Sequence, residues 1–309
     1  MGKLVVIIVG PTCSGKSRLS LNLAREIHSE IISADSRQVY RLIDVGTAKP
    51  SAAERKEITH SFINSLDLDE KFDVSLYEKQ ALVKIDKLIN LRKIPIVTGG
   101  SGLYIRALLD GIVDLQADED LRKELFAKKE NFGIEFLYKE LTTVDPEAAK
   151  IMLPQNWKRV IRALEVFYLT GKSITTFHAN QFRSRSNYNF LLFGLNWKRA
   201  ILYKMIETRV DEMIKNGLVD EVKSILTRGY SETLNSLNSV GYKEIIAYLK
   251  NEISLETAIS LIKRNTRRYA KRQLTWFRKD ERIHWFDIEN ELDLITIKNE
   301  ILNKIKAAL

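Results

Sequence analysis

With 309 residues, 45% of them hydrophobic, the chain is long enough for one large domain or two modest ones with ordinary buried cores, so disorder is not its default state. Cys13 is the only cysteine, which excludes an intramolecular disulfide and a cysteine-based zinc cluster and points to a reducing, cytoplasmic setting. Forty-nine Lys and Arg against 40 Asp and Glu leave a formal charge of +9, which favours a polyanionic partner without naming one.

Residues 4–9 form an apolar run too short to span a membrane and read as a buried strand. The run breaks into Gly10, Pro11, Thr12, Cys13, Ser14, Gly15, Lys16 and Ser17, and helical periodicity resumes over 16–28. A strand, then G-x-x-x-x-G-K-S, then a helix is the order a phosphate cradle requires. Loop N–H groups surround a di- or triphosphate, Lys16 neutralises its oxygens, and the Ser17 hydroxyl can hold Mg2+. Cys13 lies near a helix N-terminus, where a thiol can be acidified; the plainer reading is a small filler side chain.

A second strand at 30–33 ends at Ala34, Asp35 and Ser36. Helical periodicity over 74–92 is followed by a strand at 94–98 that stops at Gly99, Gly100, Ser101 and Gly102. This alternation predicts an α/β fold, a P-loop-type parallel sheet flanked by helices, with ligands at the carboxyl ends of the strands. Asp35 and Ser101 then share an edge with the phosphate loop. Asp35 either caps the turn after its strand or serves as a catalytic carboxylate.

From 114 to 189 the pattern changes to charged amphipathic helices (120–129, 132–141, 146–152 and 157–169) with no strand among them. An all-helical insertion domain, 114–189, is expected within a catalytic core of 1–113 and 190–309. Strand character returns at 189–195 and again at 284–288. Between them, Arg209 shares a helix face with Leu202, Ile206 and Met213, as either a cation overlooking a site or a snorkelling arginine.

Arg264, Arg268 and Arg272 follow one another at four-residue intervals and make a basic ridge, with Tyr269, Trp276 and Phe277 interleaved. Such a ridge suits a solvated face, a clamp on nucleic-acid phosphates, or a kinase lid. Lys158, Arg159 and Arg162 put a second basic face on the insertion.

The strand at 94–98 ends in Thr98 and two glycines, where NTP-hydrolysing proteins carry an Asp that positions magnesium near the γ-phosphate. Two reactions remain open on this reading of the residues. One is a small-molecule kinase in which Asp35 activates an acceptor hydroxyl. The other is a transferase that uses the cradle for a diphosphate leaving group.

The segments GPTCSGKS (10–17), ISADSRQVY (32–40), DVGTAKP (44–50), TGGSGLY (98–104), RVIRALE (159–165), SVGY (239–242) and AKRQLTW (270–276) occur in this order. Together they resemble the motifs of tRNA dimethylallyltransferases over nearly the whole chain. The resemblance implies transfer of a dimethylallyl group from dimethylallyl diphosphate to N6 of the adenine immediately 3′ of the tRNA anticodon, position 37. Pyrophosphate leaves, Mg2+ assists, and the helical insertion grips the anticodon stem-loop.

On matching positions, the resemblance implies that Asp35 takes the amine proton and that residues 10–17 hold the diphosphate. Ser101 and Arg209 stand with Lys16 beside the departing oxygen. Contacts to tRNA are implied at Asp35, Ser36, Arg37, Gln38, Ser101, Arg122, Arg159, Val160, Ile161, Arg162 and Ala163. A monomer with no membrane partner is the accompanying expectation. Ser101 replaces the family's usual threonine and keeps the hydroxyl. The stretch 58–64 lacks the proline and paired histidines common there, which leaves His60 without an assigned role. A single cysteine excludes the Cys/His zinc module that eukaryotic relatives often append, so the chain resembles the bacterial form.

Overall fold

The computed structural model describes residues 3–112, 118–179 and 187–309. Its elements begin with β1 (Lys3–Val9), α1 (Lys16–Glu26), β2 (Ile31–Ser33), α2 (Ala52–Glu57), β3 (His60–Ser61), α3 (Val74–Asn90), β4 (Ile96–Gly99) and α4 (Gly102–Asp110). A helical stretch follows: α5 (Glu119–Val144), α6 (Pro146–Lys150), α7 (Trp157–Thr170) and α8 (Ile174–Ala179). The chain then continues through β5 (Tyr188–Trp197), α9 (Arg199–Lys215), α10 (Leu218–Thr227), α11 (Tyr242–Leu249), α12 (Leu255–Phe277), β6 (Ile283–Ile288) and α13 (Asp293–Ala308). Among the described residues, no helix is long and apolar enough to cross a membrane.

The strands form one sheet in the order β3-β2-β4-β1-β5-β6, and every pairing is parallel. Parallel sheets need helical crossovers and are therefore covered on both faces, which explains why β1 is continuously apolar rather than alternating. Val5, Ile7 and Val9 enter one core with Tyr77, Ile85 and Tyr104. Leu4, Val6 and Ile8 enter the opposite core with Leu23, Ile206 and Ile301.

Several boundaries differ from the sequence expectation for local reasons. The strand expected at 94–98 pairs only from Ile96, because Pro95 has no N–H for the ladder; its carbonyl accepts from the Val6 amide at 3.0 Å. The helix expected at 16–28 stops at Glu26, and His28 turns to φ 49°. Tyr188 already pairs with Lys3, which draws the residues before 190 into the sheet.

The chain divides into two compact units, Met1–Leu109 with Arg185–Leu309, and Asp110–Ser184. The second has its own core of Leu125, Leu137, Leu141, Ala148, Val160 and Leu164, with others. Gly133 breaks α5 at φ 83°, ψ 175°, a conformation essentially reserved for glycine. Periodicity placed that break a few residues earlier, between 129 and 132.

Candidate active site

The phosphate loop is shaped by its own backbone and held by distant side chains. Gly10 leaves β1 at φ 151°, where a Cβ would stand 2.9 Å from Ser14 Oγ and 3.1 Å from the Leu195 carbonyl. Gly15 at φ 85° begins α1. The Trp197 indole donates to the Ser14 carbonyl at 3.0 Å. Gln273, only 6% exposed, accepts from the Thr12 amide at 2.8 Å and donates to the Gly100 carbonyl at 2.9 Å. One carboxamide thus ties the loop to the turn after β4.

These bonds narrow the expected cradle. The Thr12 amide is committed to Gln273 and the Ser14 amide to the Pro11 carbonyl, so neither points at a ligand. Among the described residues, the amides of Cys13, Gly15, Lys16 and Ser17 donate to nothing. Helix α1 has no side-chain cap and no acidic residue in its first turn, so its N-terminus favours an anion. Lys16 Nζ donates to the Pro11 carbonyl at 2.6 Å. Burial, then the neighbouring Arg209 guanidinium, lowers its pKa to about 8.

At the carboxyl end of β2, the Ala34 amide donates to Thr98 and the Ser101 amide to the Ala34 carbonyl. A Cβ on Gly99 would lie 2.1 Å from that carbonyl oxygen, so the close approach requires glycine. Asp35 Oδ1 accepts from the amides of Arg37 at 2.8 Å and Gln38 at 3.3 Å. The turn-capping reading of Asp35 therefore holds for one oxygen. Oδ2 carries no hydrogen bond among the described residues and keeps its lone pairs for a proton.

A cavity of about 1070 Å³ at this edge of the sheet is lined by Thr12 to Ser17, Asp35, Gln38 and Arg209, among others. Arg209 NH1 donates to Cys13 Sγ at 3.4 Å, so this cation overlooks the loop instead of snorkelling away. Ser101 does not line the cavity. Its hydroxyl accepts from the Ser36 amide at 3.1 Å and braces the turn that carries Asp35. Gly10, Pro11, Ser36 and Arg37 are likewise outside the lining. Arg37 NH1 is held by the Asn235 carbonyl at 2.6 Å.

Tyr269 also faces the cavity, and its phenol pKa is pushed up to about 12, chiefly by burial. His60 lines it too. Its Nδ1 donates to the Ile58 carbonyl at 2.7 Å, and burial lowers its pKa. Arg264, Arg268 and Arg272 are exposed on α12 and do not line the cavity.

In the helical unit the expected RNA contacts need correction. Val160, Ile161 and Ala163 have side chains at most 3% exposed, packed in that unit's own core, so they offer RNA no side-chain surface. Arg122 grips the fully buried Glu165 with Nε at 2.6 Å and NH2 at 3.1 Å, and Arg162 adds a third bond at 3.1 Å. Of that group, Arg159 alone has an exposed side chain.

Residues 38–280 match the IPP transferase family, well over half the chain. The chain belongs to the IPP transferase family. It is 46% identical over 300 residues to a tRNA dimethylallyltransferase of Pelotomaculum thermopropionicum, covering 96% of this chain and 95% of the relative. A second tRNA dimethylallyltransferase, from Thermoanaerobacter sp. strain X514, is 43% identical over 309 residues, covering 99% and 98%. The crystal structure of a Bacillus halodurans tRNA isopentenylpyrophosphate transferase superposes with a TM-score of 0.72 at 40% identity, covering 99% of this chain and 98% of that one. A eukaryotic dimethylallyltransferase acting on tRNA gives 0.79 at 27% identity, covering 97% and 80%. As a member of this family the chain is a prenyltransferase of tRNA adenine, which removes the small-molecule kinase reading.

Membership also gives the Gln273 staple a consequence. Gln273→Glu sets a carboxylate against the Gly100 carbonyl and beside the cradle, leaving a buried acceptor unpaired. The donor KM is expected to rise about tenfold or more, with RNA affinity changed by less than about twofold, in steady-state titrations of each substrate.

Proposed function

We propose that the cavity holds dimethylallyl diphosphate by its diphosphate end while Asp35 prepares N6 of the adenine 3′ to the anticodon. The observation that carries this reading is the pairing, in one cavity, of a cationic cradle with an unengaged carboxylate oxygen. The free amides of Cys13, Gly15, Lys16 and Ser17, with Lys16 and Arg209, form the cradle, and Asp35 Oδ2 is the carboxylate oxygen.

The N6 lone pair is delocalised into the purine, so the amine needs a base as the new bond forms. The N6–C1 bond forms while the C1–O bond to diphosphate breaks; the bonding pair leaves with pyrophosphate and one N6 proton passes to Asp35. Charge growing on the departing oxygen meets donors already in place, which lowers the barrier. Ser101 supports this by fixing the turn of Asp35 through the Ser36 amide.

Among the described residues no group of three His, Cys, Asp or Glu could hold a metal. The exposed Ser17 hydroxyl at the start of α1 is a hard oxygen donor of the kind Mg2+ takes alongside substrate phosphates and water, so the donor set fits that ion. When bound, Mg2+ would neutralise charge on the diphosphate. Arg264, Arg268 and Arg272 on one unit, and Lys158 and Arg159 on the other, supply exposed cations for the RNA backbone. The chain acts as a monomer in this reading, in the cytoplasm, where tRNA is found.

The test is mass spectrometry of an anticodon stem-loop RNA incubated with the chain, dimethylallyl diphosphate and Mg2+. One dimethylallyl group is expected on the adenine next to the anticodon, with one pyrophosphate released per transfer. An unchanged RNA mass at saturating donor refutes the proposal.

A further inference from the structure

Glu221, on α10, does not line the cavity, yet its carboxylate organises one of the cavity walls. It accepts from three consecutive amides, Asp44 at 2.7 Å, Val45 at 2.7 Å and Gly46 at 3.1 Å, and from the Tyr242 hydroxyl at 2.5 Å. Successive N–H groups converging on one anion form a nest. Here the anion is a side chain from a distant helix, so the 44–46 segment is fixed from behind. Gly46 lies flat against Tyr242, where a Cβ would be 2.5 Å from the ring.

The residues that follow pass this order into the cavity. The Thr47 and Ala48 carbonyls both face Gln38 Nε2, at 3.1 and 3.5 Å. Two acceptors set against one carboxamide decide its orientation: the NH2 is spent on them and Oε1 is left over. Gln38 lines the cavity, and its own amide donates to Asp35 Oδ1. Gln38 thus brings to the cavity that Asp35 also lines a side-chain acceptor, Oε1, left unspent by its NH2 contacts.

We propose that Glu221 is a positioning residue for recognition of the exocyclic amine, an inference that rests on the function proposed above. Glu221 holds 44–46, the Thr47 and Ala48 carbonyls orient Gln38, and Gln38 Oε1 accepts one N6–H while Asp35 removes the other. The chemistry selects a base that presents an NH2 at this point. A hypoxanthine, which presents a carbonyl oxygen, would set two acceptors against each other.

The experiment compares binding of anticodon stem-loop RNAs carrying adenosine or inosine at the acceptor position, using the full chain and its Glu221→Ala, Glu221→Gln, Gln38→Ala and Glu221→Ala/Gln38→Ala variants. The wild type is expected to prefer adenosine about tenfold, the order of one buried polar mismatch. Glu221→Ala and Gln38→Ala should each lower that ratio about threefold or more, and the preference left over is the part contributed by Asp35, the other acceptor facing the amine. Glu221→Gln should keep most of it, because a carboxamide oxygen can still accept from the loop. The double variant should be no worse than Gln38→Ala alone, since both changes cut one chain of contacts.

A Glu221→Ala ratio that stays at the wild-type value, or losses that add in the double variant, overturns the inference. Should Glu221→Ala fail to fold, Glu221→Asp, with the carboxylate drawn back by one methylene, reads the same ratio. The prenylation assay separates the two failures. A wild-type chain that leaves adenosine RNA unmodified defeats the proposed function and this inference with it; a wild-type chain that prenylates with an unmoved ratio defeats the inference alone.

Discussion

Asp35→Asn is expected to lower kcat at least about a hundredfold while anticodon stem-loop RNA still binds, because the variant removes a base and little else. The geometry makes this separation possible. Asp35 Oδ1 is an acceptor for the Arg37 and Gln38 amides, and an asparagine carbonyl can keep both bonds, so the turn survives. Oδ2 becomes an NH2 that cannot take a proton. Single-turnover rates at saturating donor, set beside RNA affinities, check the expectation. Unchanged turnover would remove Asp35 from the proton transfer; a collapse of RNA binding would make the residue chiefly a brace.

The second large effect concerns Lys16 and pH. Burial and then the Arg209 charge bring the ammonium pKa from its ordinary 10.5 down to about 8. Below that pH the side chain is charged and can meet a diphosphate; above it the free protein loses the cation. Donor dissociation constants measured by calorimetry should therefore be steady up to about pH 7.5 and weaken as pH rises through 8 and 9. Lys16→Arg should flatten this limb, since guanidinium stays charged throughout. Lys16→Ala should weaken donor binding at pH 7 by about 10- to 150-fold, the range for losing a charged hydrogen bond of about 1.5–3 kcal/mol. A wild-type donor affinity that does not change between pH 7 and 9 would contradict this role for the ammonium.

The parts of the site that were legible in the sequence are those written by local rules. The apolar run of β1, the glycines and lysine of the loop, and Asp35 at a strand end follow from burial, turn geometry and the strand-end position of ligands in parallel sheets. Trp197, Gln273 and Glu221 act across separations of 183, 261 and 177 residues or fewer, which no periodicity records. Gln273 did leave one trace, a polar residue among the buried positions Ala258, Ile262, Ala270 and Phe277 of α12.

The helical unit shows the opposite failure. Within RVIRALE the resemblance implied RNA contact from Arg159 to Ala163, yet 3.6-residue periodicity sends Val160, Ile161, Ala163 and Leu164 inward. The partner that occupies Arg122 is a buried carboxylate 43 positions along, beyond the reach of pattern reading.

The staples on the phosphate loop have a kinetic side. On the function proposed above, a loop already braced before the donor enters surrenders little freedom on filling, and the contacts that would receive the intact donor would also hold spent pyrophosphate. On that reading, the bonds from Gln273 and Trp197 that ready the loop for the donor also retain its by-product, which makes pyrophosphate escape a step able to limit turnover.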